Sequence, residues 1–133
     1  MNVYEHILQQ IYGKPQLLID EKRLFLNAIY ERVVIAITTE QLNSGKVYKA
    51  VLEEMEKDND LRLWINGSEP YNQYAFYVQI AIKLGVPFTV VHSKRASPFG
   101  LVLATVSVPS NVNNPFIEDH HFHFGAEDVL EAS

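Results

Sequence analysis

The stretch RVVIAIT at residues 32–38 decides the fold, together with LRLWI at 61–65, VPFTVVH at 86–92 and GLVLATVSV at 100–108. Between the first two, Val47, Ala50, Val51 and Met55 recur at helical spacing; between the next two, a denser apolar set does the same from residue 71 to residue 82. The order over 32–108 therefore reads strand, helix, strand, helix, strand, strand. The expected fold class is α/β: an α/β sandwich with core order βαβαββ and a mixed four-stranded sheet. Parallel strands with crossover helices would form the centre, closed by an antiparallel edge. Val33, Val34, Ile35, Ala36 and Ile37 follow without a polar break, the mark of a strand covered on both faces, so 32–38 is expected in the middle of the sheet.

The joints carry their own signals. Residues 39–44 read as a polar connection, with Ser44 and Gly45 placed to cap a helix that runs to about residue 58. Asn66 and Gly67 end the second strand. Pro70 suits a helix's first turn, and Gly85 stops that helix. The 70–84 helix is apolar on more than one face, which fits either a layer packed on two sides or an oligomer contact. Upstream, 2–12 reads as a short amphipathic helix, and Asp20 caps a second with the stripe Leu24, Phe25, Ala28 and Ile29. Residues 1–110 are expected to form a single domain. From residue 111 to 133 the character shifts to a partly mobile polar tail, with at most a short edge strand at 122–124.

Bulk composition excludes several classes. With no cysteine in 133 residues, disulfides, iron–sulfur clusters and thiolate zinc sites are ruled out. No apolar run approaches the ~20 residues of a membrane span, and no basic segment opens the chain, so a cytoplasmic protein away from membranes is expected. The net charge of −5 argues against a general nucleic-acid binder while leaving room for a local basic patch.

Candidate sites gather where open α/β sheets bind ligands, beyond the C-terminal strand ends. Thr38, Asn66, Gly67, His92, Ser93, Lys94 and Arg95 all fall there, and Lys94 and Arg95 would attract an anion. Ser44, Gly45 and Lys46 would offer a phosphate the N–H groups of a helix start. The plain alternatives are turn chemistry and an ordinary cap. His121 and His123, in the run from Glu118 to His123, are the candidate metal ligands; an incidental polar tail is the plainer reading. Trp64, between Leu63 and Ile65, reads as core. No nucleophile elbow, Walker loop, zincin motif or dinucleotide fingerprint occurs, and no cofactor is called for.

Asp20-Glu21-Lys22-Arg23, Glu31-Arg32-Val33-Val34, Leu63-Trp64-Ile65-Asn66-Gly67, Pro70-Tyr71, Gly85-Val86-Pro87-Phe88-Thr89 and Gly100-Leu101-Val102 together resemble the YueI-like family of uncharacterised proteins from Gram-positive bacteria, over about residues 1–110. That resemblance implies a chorismate-mutase-like α/β sandwich and no assigned activity. A second resemblance lies at the level of fold. The run 85–94 followed by Gly100-Leu101 is similar to the kink-turn RNA-binding ribosomal proteins, whose Gly-x-Asn-Glu loop contacts RNA. Here Asn43-Ser44-Gly45-Lys46 stands in that place and lacks the Asn-Glu pair.

These readings favour a non-catalytic binding or interaction domain, with an unidentified protein partner, self-association or a small anionic ligand. RNA binding around Lys46 and Lys94 is the second reading. The third is an enzyme on a small anionic substrate, with His92 as general base.

Overall fold

The computed structural model describes residues 24–57, 59–92 and 97–122. A 3₁₀ turn at Tyr30–Arg32 leads into β1 (Val33–Thr38). Then come α1 (Thr39–Leu42), α2 (Lys49–Lys57), β2 (Leu61–Asn66), α3 (Tyr71–Leu84), β3 (Phe88–Val91) and β4 (Phe99–Thr105). The four strands form one mixed sheet in the order β1-β4-β2-β3. None of the described helices is long and apolar enough to cross a membrane.

The sheet corrects the expected arrangement. Only β2 and β3 pair in parallel; β4 runs antiparallel to both β1 and β2 and lies between them. β1 is therefore the outer strand of this sheet, although its sequence is the most continuously apolar. An apolar run reports that both faces are covered, not that both edges are paired. The outer edge of β1 is met instead by the chain after β4. Ser110 N–H donates to the Glu31 carbonyl, Ala36 N–H donates to the Pro115 carbonyl at 2.9 Å, and Phe116 forms a parallel bridge with Ala36.

Each face of the sheet carries its own core. On one, α2 and α3 lay Val51, Met55, Tyr74, Tyr77, Val78 and Ala81 over Ile35, Ile37, Leu61, Leu63, Ile65, Leu101 and Leu103. On the other, Leu24, Phe25, Leu26, Ala28 and Phe116 pack on Val33, Ala36, Phe99, Val102 and Ala104. A bulge at Val34 lets Val33 join the second core while Ile35 joins the first. The rings of Phe25, Phe99 and Phe116 stack with centroids 5.1–6.3 Å apart. Burying such side chains stabilises by about 1.5–3 kcal/mol each. Residues 111–122, expected as polar tail, thus include Phe116, which is 6% exposed.

Local differences have local causes. Leu26 and Asn27 take positive φ (54° and 86°), which ends the expected second helix before Ala28 and Ile29. The expected polar joint at 39–44 contains α1, capped reciprocally: Thr38 Oγ1 accepts from Gln41 N–H, and Gln41 Oε1 accepts from Thr38 N–H. α2 begins at Lys49, so Ser44 and Gly45 do not cap it. Val47 is exposed, and Tyr48 takes the buried place expected of it. α3 ends as read, with Gly85 in the left-handed region (φ 76°) and its N–H donating to the Ala81 and Ile82 carbonyls of the last turn. Tyr71, Phe76 and Ile82 of α3 face outward. β4 stops at Thr105, leaving Val106 and Val108 exposed. The expected helix at 2–12 and the cap at Asp20 lie outside the described residues.

Candidate functional site

The strand-end residues do come together, but most of their polar groups are already engaged. Thr38, at the end of β1, is fully buried and caps α1. Asn66, at the end of β2, donates from Nδ2 to the Phe99 carbonyl at 3.0 Å and accepts from Ser68 N–H at 2.9 Å. Gly67 N–H donates to the Val91 carbonyl. A Cβ at Gly67 would lie 2.5 Å from His92 Nδ1 and 2.9 Å from the Val91 oxygen, so this glycine is required by close approach of β3. His92 itself is exposed. Ser93, Lys94 and Arg95 lie outside the described residues.

The loop at 43–48 is organised by a distant residue. Ser44 Oγ donates to the Gln41 carbonyl and accepts from Lys46 N–H, folding the loop upon α1 rather than opening α2. Gly45 has φ 84°, a conformation that favours glycine. Lys46 Nζ lies 3.6 Å from Asp119 Oδ2 and 5.0 Å from the Tyr48 ring centroid. The Tyr48 hydroxyl donates to Asp119 Oδ2 at 2.7 Å, Gln41 Nε2 donates to Oδ1 at 3.1 Å, and His121 N–H donates to Oδ1 at 3.0 Å. Burial alone would raise the Asp119 carboxyl. The bonds from Tyr48, Gln41 and His121, with the Lys46 charge, outweigh it and hold it at about 2. Burial, then the Asp119 contact, pushes the Tyr48 hydroxyl well above its ordinary range. Gln41 Nε2 also donates to the Ile117 carbonyl, so one carboxylate and one amide fasten 117–121 to the domain's α1–α2 side.

This arrangement uses His121 through its backbone: its N–H goes to Asp119, and its carbonyl accepts from Thr38 Oγ1. The His120 and His121 rings pack together, with centroids 3.9 Å apart. Among the described residues no group of three or more His, Asp or Glu side chains could hold a metal ion. His123 lies outside them.

An open cavity lies elsewhere, on the face away from α2 and α3. It measures about 330 Å³ and is lined by Asn27, Ala28, Ile29, Arg32, Arg62, Trp64 and the strand end 104–106. Register explains the convergence. Arg62 pairs with Ala104 and Trp64 with Val102, so both project from β2 on the side of the second core. Trp64 is half-buried at the rim of this core, not central to it as expected. The Arg62 guanidinium lies 5.6 Å from the indole centroid, and its Nη1 donates to Thr89 Oγ1 at 2.9 Å. Arg32 Nη1 donates to the Val106 carbonyl, while its Nε is buried without a hydrogen-bond acceptor among the described residues. None of the lining residues is acidic, and among the described residues neither arginine is ion-paired. Sequence reasoning missed Arg32 and Arg62 because each is a single basic residue at a strand start; the signal was an arginine two residues before the single tryptophan.

Comparison with known proteins places the chain. Residues 1–114 match the family described as "Protein of unknown function (DUF1694)". The uncharacterized protein YueI of Bacillus subtilis (strain 168) is 37% identical over 100 residues, covering 74% of this chain and 76% of that protein. The crystal structure of the YueI protein from Bacillus subtilis superposes with a TM-score of 0.75 at 35% identity, covering 89% of this chain and 93% of that one. The same mixed α/β architecture and the extent of the match over sequence and structure agree: the chain belongs to the DUF1694 family, the YueI-like proteins.

Proposed function

We propose that this protein is a non-catalytic binding domain that holds a small anionic ligand in the cavity lined by Arg32, Arg62 and Trp64. One observation carries the reading: two guanidinium groups with no acidic counterpart face a cavity in a chain whose net charge is −5. A volume of about 330 Å³ lies within the usual range for small-molecule sites, roughly 300–1,000 Å³. Arginine suits such a role, since its flat fork matches carboxylate and phosphate oxygens two at a time. The lining offers charge, flat surface and apolar walls, and no nucleophile paired with a base.

Calorimetric titration of the whole chain with benzoate and with inorganic phosphate tests this. Binding of either probe that weakens at least tenfold in the Arg32→Gln/Arg62→Gln variant supports the reading. Failure of both probes to bind the wild-type chain, or binding unchanged in the double variant, overturns it.

A further inference from the structure

Resting on that reading, we infer that the cavity selects a planar ring bearing a carboxylate, the ring lying along the indole and guanidinium surfaces and the carboxylate reaching Arg32.

Flatness is built into the walls. The Arg62 guanidinium lies 5.6 Å from the Trp64 ring centroid and donates to the Thr89 hydroxyl at 2.9 Å, contacts that restrain it beside the indole before any ligand arrives. Both groups are π-surfaces, and a conjugated ring gains from stacking on each where a saturated ring of the same size gains only contact area. The facing residues leave space for a flat body: Ala28 and Ala104 are small, and Ile29 gives an apolar wall. Leu26 and Asn27, consecutive non-glycine residues at positive φ, lead into Ala28 and Ile29. This conformation, uncommon for leucine, brings those residues against β4.

The acid group has a separate place. Arg32 spends Nη1 on the Val106 carbonyl. Its Nε has no acceptor among the described residues, and a buried donor left unpaired is costly. A small rotation of the Arg32 side chain on ligand entry would present Nε and Nη2 to a carboxylate in the side-by-side geometry that guanidinium favours. Arg62, committed to Trp64 and Thr89, contributes charge and plane. The two arginines thus divide the work, one reading the acid and the other the ring.

The test compares benzoate with cyclohexanecarboxylate, equal in charge and similar in size but not flat, by calorimetry on the full chain. Benzoate is expected to bind about three- to tenfold tighter, the range that aromatic stacking supplies. Trp64 is the chain's single tryptophan, so benzoate should also change its fluorescence in wild type. Arg62→Lys keeps the charge and removes the plane; it should retain carboxylate binding and lose most of the preference. Trp64→Phe, which keeps a ring, should retain part of it. Arg32→Gln should weaken both acids together. Equal binding of the two acids by the wild-type chain overturns the planar selection and leaves the anion reading standing. Absence of binding by both acids and by inorganic phosphate removes both.

Discussion

Replacing Asp119 by asparagine tests the fastening of 117–121 most directly. The carboxylate accepts from Tyr48, Gln41 and the His121 N–H and faces Lys46, and these hold it near 2 against its ordinary value of 3.8. A carboxyl depressed in the folded chain adds stability that is fully present above the ordinary value and disappears as pH falls through the folded one. The shift from 3.8 to about 2 corresponds to about 2 kcal/mol at most, because the side chain is 19% exposed and solvent screens it. Urea unfolding of wild type and Asp119→Asn should differ by about 2 kcal/mol near pH 7, and the gap should shrink below 1 kcal/mol near pH 2.5. The asparagine variant should itself show the flatter pH profile. A gap that stays constant across this interval, or one under about 0.5 kcal/mol at neutrality, would refute the charge-based account.

Three further outcomes follow from packing. Phe116→Ala removes the ring around which Phe25, Tyr30, Phe99 and Phe122 gather, and chemical denaturation should show a loss of about 3–5 kcal/mol. Gln41→Ala strips a fully buried amide that serves the Thr38 N–H, the Ile117 carbonyl and Asp119; a loss of about 2–3 kcal/mol is expected, with faster amide exchange at Thr38. Gly67→Ala should cost about 1–3 kcal/mol, and adding His92→Ala should recover only part of it, because the Val91 oxygen still stands 2.9 Å from the new methyl. Full recovery in the double variant would show the His92 ring to be the whole obstacle.

What the sequence disclosed was what is decided locally. Gly85 stops α3 because a left-handed residue follows the last turn, and that requirement is written in one letter. The mixed sheet followed from four apolar stretches broken by helical period. The start of α2 did not, because the group that meets the Tyr48 N–H there is the hydroxyl of Tyr77, 29 residues further on. Strand order was hidden for a related reason: β1 and β4 are both apolar throughout, and only tertiary contacts show which one lies inside. Phe116 falls in the stretch read as polar tail, and only tertiary contacts reveal that its ring stacks on those of both Phe25 and Phe99. The cavity was least visible. Arg32 and Arg62 are separated by a helix-bearing segment and belong to no ligand-binding motif; the register of β2 against β4, with the entry into β1, brings both to one cavity.

The chain that passes along β1 shields one edge of the sheet. An unshielded strand edge is a template for intermolecular pairing, and β1 is five apolar residues ending in threonine, the sort of segment that recruits its like. Pro115 and Phe116 occupy that template: the proline's carbonyl takes the Ala36 N–H, and the proline itself has no N–H to offer onward. At the other end of the sheet, β3 is only four residues long and is preceded by Pro87. Shortening the chain at residue 110, where its composition changes, should uncover this edge and favour pairing between chains, an outcome that light scattering would register.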